Sequence, residues 1–112
     1  MSEPIIHGGT AAQMADSGVA LVVTSGVDGP HVTESSFEWD GTEFRIEGVS
    51  WSARSENLRR SPRVALVIRR SADAPLLVVY GDATLHEVTG DSERVMISVR
   101  PTRTHTLSPA GR

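Results

Sequence analysis

Asp40-Gly41-Thr42-Glu43-Phe44-Arg45-Ile46-Glu47 holds a turn and a strand within eight residues. Asp40-Gly41 is a dipeptide of the tight hairpin kind. Beyond it, Phe44 and Ile46 alternate with Arg45 and Glu47, the two-residue period of a strand with one buried and one wet face. Immediately upstream, His31 to Trp39 reads as extended, with β-branched and aromatic residues. Asp28-Gly29-Pro30 supplies an earlier turn, and Val19 to Thr24 is a continuous β-rich run before it. The first half of the chain is therefore built from hairpins.

Downstream, Ser52 to Ser61 has helix-tolerant composition. Pro62 forces Ser61 out of helical geometry and closes a helix of two to three turns. Val64 to Ile68 and Leu76 to Tyr80 are apolar at every position, so protein is expected on both of their faces. Gly81 to Val88 prolongs the second run and Thr89-Gly90-Asp91 turns. Val95, Ile97 and Val99 then alternate with Met96, Ser98 and Arg100 in a last strand, and the tail from Pro101 onward reads as irregular. Near the start, Thr10 to Ser17 offers a weak apolar face for one or two helical turns, ended by Gly18.

About six strands joined by tight turns around a single internal helix predict one domain over 1–112, a mainly β, six-stranded antiparallel barrel with one or two short helices. A parallel sheet would need more crossover helices. One small barrel cannot hide the outer faces of Val19 to Val23, Val64 to Ile68 and Leu76 to Val79, so a second copy is expected over them.

Composition removes several classes of function. A net charge of −3 gives no general attraction for phosphate backbones, and nucleic acid is not an expected partner. No cysteine is present, which rules out disulfides and thiolate chemistry and suits a cytoplasmic location. Every basic residue other than histidine is arginine, so no lysine is available for a Schiff base with pyridoxal phosphate. No apolar stretch approaches the roughly 18 residues of a membrane span, and Met1 to Gly9 lacks the pattern of an export signal. His7, His31, His86 and His105 are scattered without metal-ligand spacing, and no metal is expected. Gly-x-Ser-x-Gly is missing, and no glycine-rich loop precedes a helix.

The chemistry-bearing segment is Ser50-Trp51-Ser52-Ala53-Arg54-Ser55-Glu56-Asn57-Leu58. A helix N-terminus carries unpaired N–H groups and partial positive charge, so an arginine in its first turn is electrostatically misplaced unless an anion sits nearby. Arg54 is thus either a solvated or carboxylate-paired surface residue or one arm of a phosphate site.

Several blocks, in order, resemble the pyridoxamine 5'-phosphate oxidase-like split barrels, in their flavin and deazaflavin oxidoreductase branch. They are Asp28-Gly29-Pro30-His31-Val32-Thr33, Phe37-Glu38-Trp39-Asp40-Gly41, Arg54 through Val64, Gly81-Asp82-Ala83-Thr84-Leu85 and Val99-Arg100-Pro101-Thr102-Arg103. The resemblance covers the chain from about Gly18 onward and implies a split barrel. It also implies a homodimer binding FMN, or alternatively a deazaflavin cofactor, at its interface, with hydride transferred to a small organic substrate. A non-catalytic flavin-binding or sensing module of the same fold is the alternative.

By that resemblance Ser52, Arg54 and Asn57 fall at the phosphate and ribityl end. Thr33, Glu34, Ser35 and Ser36 fall at the ring system, and Val49 and Ser50 line the groove between. Read as residues alone, Ser35 and Ser36 are equally strand hydroxyls, Glu34 an edge carboxylate and Asn57 a brace for the helix. Trp51 is either a packing residue or a flank to the ring. Three departures stand out. Glu56 occupies a place where relatives often carry a basic residue, the turn at Asp28-Gly29-Pro30 is one residue shorter than their usual Asp-Gly-x-Pro, and the link between Val88 and Arg94 lacks the helical segment that borders the groove in many of them.

Overall fold

The computed structural model describes residues 17–69 and 71–108. The strands are β1 (Ser17–Gly26), β2 (Gly29–Trp39), β3 (Phe44–Val49), β4 (Arg63–Ile68), β5 (Leu76–Val88) and β6 (Asp91–Leu107), with the helix α1 (Ala53–Arg60) between β3 and β4. They close into an antiparallel barrel in the order β1-β2-β3-β6-β5-β4, with β4 returning to β1 from Ala20↔Ile68 to Thr24↔Val64. The expected fold class is thus the observed one, and α1 is the one helix among the described residues. The helical turn read at Thr10 to Ser17 lies outside those residues, except that Ser17 opens β1.

Alternation builds the core. Along β3 the inward Phe44 and Ile46 are buried while Arg45 and Glu47 are exposed. Val22, Leu66, Val79, Ile97 and Val99 meet them from the other strands, each at most 1% exposed. Each such side chain contributes roughly 1.5–3 kcal/mol by leaving water. Phe44 packs edge-on to Phe37 at 5.5 Å between ring centroids and lies 4.5 Å from Trp39.

Helix α1 packs against β1 and β5 through Leu58 and Asn57, both buried. Ser52 caps it by accepting from Ser55 N at 3.2 Å. Ser61, extended as the following proline requires, ends it.

Two expectations are corrected. The tail after Pro101 is strand as far as Leu107, pairing from Gly81↔Pro101 to Leu76↔Leu107. Proline lacks the N–H a regular ladder needs, and the register shift between Tyr80 and Gly81 accommodates it. At Gly81 a Cβ would come within 2.6 Å of the Arg100 carbonyl oxygen, so only glycine permits that approach. The first turn is Val27-Asp28, with Gly29 and Pro30 already paired to Gly26 and Ser25 in β2. As expected of one small barrel, outward residues of the apolar strands stay exposed within the chain: Val19 is 51%, Leu21 42% and Tyr80 36% exposed.

Candidate functional site

Strand β2 pairs with β1 over its whole length, from Ser17↔Glu38 to Gly26↔Gly29. With β3 it pairs only at Glu38↔Arg45 and Trp39↔Phe44. On its other edge β3 pairs with β6 along its whole length, from Phe44↔Val99 to Val49↔Arg94, so beyond Arg45 it keeps that neighbour alone and the sheet splits between β2 and β3.

Arg54 spans the split. It donates from Nη2 to the Glu47 carbonyl oxygen of β3 at 3.0 Å and, over a longer 3.4 Å, from Nη1 to Thr33 Oγ1 of β2. Gly48 lies beside it, where a Cβ would be tight against Ile97 Cδ1 at 3.2 Å and Val95 Cγ1 at 3.3 Å and in ordinary contact with Arg54 Nη2 at 3.4 Å.

Arg54 makes no ion pair among the described residues, where the pairs are Arg45–Asp40, Arg59–Glu56 and Arg94–Glu47. Its Nε is buried without a partner. Desolvation lowers the guanidinium's pKa from its ordinary value, although an arginine keeps its charge. A half-buried cation bonded only to neutral oxygens, in the first turn of a helix, has the electrostatics of an anion site awaiting its anion.

A cleft of about 700 Å³ lies here, lined by Thr33, Glu34, Val49, Ser52, Arg54 and, from outside the expected set, His31, Glu47, Gly48, Ala53 and Arg94. A second cleft of about 800 Å³ shares Glu34 and Glu47 with it and adds Ser35, Ser36, Phe37 and Met96. Volumes of this size suit a small organic cofactor. The structure thus brings Thr33, Glu34, Val49, Ser52 and Arg54 to one cleft and Ser35 and Ser36 to its neighbour.

Two expected residues are engaged elsewhere. Ser50 accepts at Oγ from Arg59 Nη2 at 2.8 Å, and its carbonyl accepts from Arg59 Nη1 at 2.7 Å. Asn57 is 5% exposed, donates from Nδ2 to Thr24 Oγ1 at 3.1 Å and accepts from Arg60 Nη2 at 3.0 Å, so it ties α1 to β1. Trp51 is 73% exposed and lines neither cleft.

His31 escaped the sequence reading as one of four scattered histidines. A signal did exist, since His31 stands at the two-residue period with Thr33 and Ser35 and faces the same way. Arg94 gave no such signal, because it reaches the cleft through the non-local pairing Val49↔Arg94 and its 2.6 Å bond to Glu47. No group of three or more metal-ligating side chains occurs among the described residues. No helix among them is long and apolar enough to cross a membrane.

No family model and no curated protein matches the sequence. Solved structures do. An F420 reductase is 24% identical, with 78% of this chain and 88% of that one covered at a TM-score of 0.67. A pyridoxamine 5'-phosphate oxidase-related, FMN-binding protein from Nostoc punctiforme is 12% identical, with 84% and 75% covered at 0.70. HutZ, the haem storage protein from Vibrio cholerae, is 12% identical, with 79% and 84% covered at 0.67. The chain therefore has the fold of the pyridoxamine 5'-phosphate oxidase-like split barrels, a fold that includes flavin-binding proteins.

Proposed function

We propose that the protein is a homodimeric, cytoplasmic oxidoreductase that holds FMN, or alternatively a deazaflavin cofactor, in the split between β2 and β3 and passes hydride to a small organic substrate. Arg54 carries the reading, because a desolvated guanidinium with no carboxylate partner, at the opening of α1, matches a phosphate terminus. Ser52 and Thr33 stand beside it as hydroxyl partners, and Glu34, Ser35 and Ser36 border the neighbouring cleft where a ring would extend. The cofactor, once bound, supplies the hydride chemistry. The chain's part is to fix it and keep water from one face of it. The exposed Val19 and Leu21, at the edge of that neighbouring cleft and on β1 beside it, support a second copy closing over the site.

A non-catalytic flavin-binding or sensing module is the second reading. The observation in its favour is the two-residue turn Thr89-Gly90 joining β5 to β6, which adds no covering element beside Arg94 and Val49. Absorbance and calorimetric titration of the purified protein with FMN and with the deazaflavin test both readings. Uptake of either supports them, and uptake of haem in their place, or of nothing, overturns them. Arg54→Ala is expected to weaken binding by about 1.5–3 kcal/mol. Rapid mixing of the loaded protein with reduced nicotinamide or reduced deazaflavin then separates the two, since a cofactor that never exchanges electrons marks the module.

A further inference from the structure

Among the described residues, two buried side-chain nitrogens lack a hydrogen-bond partner, Arg54 Nε and His31 Nδ1, and both side chains line the same cleft. One comes from α1 and the other from β2. Buried polar atoms are almost always bonded, so a cleft that two elements each supply with an orphan points to a common missing partner.

The surroundings restrict what that partner is. His31 stands opposite Thr24 in the β1–β2 ladder, but the Thr24 hydroxyl accepts from Asn57, whose own oxygen is held by Arg60. Of the carboxylates lining the cleft, Glu47 is paired with Arg94 at 2.6 Å and Glu34 is exposed. Arg54 Nε is a donor in every state, and neutral imidazole donates from Nδ1 in one of its two tautomers. An oxyanion with more than one oxygen can accept from both, each donor taking an oxygen of its own, and its charge matches the unpaired guanidinium.

We infer that His31 is a second holder of the cofactor's phosphate terminus, donating from Nδ1 to the group that Arg54 Nε also contacts. The inference rests on the flavin-type reading of the cleft. It goes beyond that reading by adding a ring nitrogen from β2 to the grip that Arg54, Ser52 and Thr33 already form.

The test compares FMN with riboflavin, which lacks the phosphate, by flavin fluorescence titration of wild type, His31→Phe and Arg54→Ala. His31→Phe is expected to lose about tenfold in FMN affinity with riboflavin affinity unchanged. If the ratio of the two affinities stays at the wild-type value in His31→Phe while Arg54→Ala collapses it, the assignment of His31 is overturned and the cofactor reading stands. Imidazole nitrogen NMR of wild type, with inorganic phosphate and separately with FMN, needs no variant to fold. The expected result is an Nδ1–H tautomer at His31 in the bound protein, and an Nε2–H tautomer there overturns the proposal. A protein that ignores FMN yet shows the His31 response to inorganic phosphate overturns the flavin reading and keeps the anion site.

Discussion

The seam between β2 and β3 has two unlike ends. At one, Trp39 pairs with Phe44, Phe37 packs edge-on beside them, and the rings close the barrel with apolar area. At the other the ladder has ended, and a guanidinium bridges the strands over 3.0 and 3.4 Å with its Nε left unpaired. Both ends belong to the same two strands, so the contrast lies in the side chains that face the seam. Stability is concentrated where the seam is dry, and polar groups that gain from a ligand are concentrated where it opens. Such a division is expected of a binding site, whose unsatisfied groups cost stability that the rest of the fold must supply.

The sharpest way to break this contrast is Phe44→Ala at the dry end. Phe44 is fully buried, and its removal is expected to cost about 3–5 kcal/mol in urea unfolding. A loss below about 1 kcal/mol would show that the rings do not hold the seam.

Asn57→Ala tests where the site stops. It strands the buried Thr24 hydroxyl and removes the tie between α1 and β1, so a loss of about 1–3 kcal/mol in stability is expected. Its FMN affinity is expected to stay near wild type. A large fall in affinity with little change in stability would instead move Asn57 from brace to ligand.

At the open end the sign reverses. Arg54→Met replaces a half-buried cation without an ion pair by an apolar chain of similar length, and unfolding of the ligand-free protein is expected to show a small gain in stability, reduced by the solvent that still reaches the guanidinium. FMN binding is expected to fall at the same time. If the variant is less stable by a similar amount, the bonds to Thr33 and Glu47 outweigh the desolvation, and the open end is as structural as the closed one.

How much of this could be read from the sequence follows the same line. Phe44 and Ile46 announced β3 because alternation is a local property, and Pro62 fixed the end of α1 because its steric demand acts on the adjacent residue. The strand beyond Pro101 was hidden, since its tolerance depends on a register shift against Gly81, twenty residues earlier. Arg54 was legible as an anomaly of charge at a helix start. That it spans a split, and that His31 and Arg94 share its cleft, depends on where β3 departs from β2 while still paired to β6. No spacing in either segment encodes that departure.

The smallest expected effect sharpens the closed end through pH. Asp40 sits where β2 and β3 meet, accepting at Oδ1 from Glu43 N and Thr42 N, both at 2.8 Å, with Arg45 Nη2 at 2.8 Å from Oδ2. The backbone bonds from Glu43 and then Thr42 are the main causes that hold its carboxyl below the ordinary aspartate value, with a smaller pull from Arg45. The unfolded chain therefore binds the proton at higher pH than the folded one, and stability rises with pH through that window. The contribution is whole above about pH 4, the unfolded value, and is lost as pH falls through the lower folded value. Because Asp40 is exposed, the effect is expected to be slight and local, seen best by carboxyl NMR titration. Asp40 should titrate below the ordinary aspartate value, and the Thr42 and Glu43 amides should shift with it. Titration at the ordinary value would mean that the β2–β3 turn is held by the Trp39 and Phe44 rings alone.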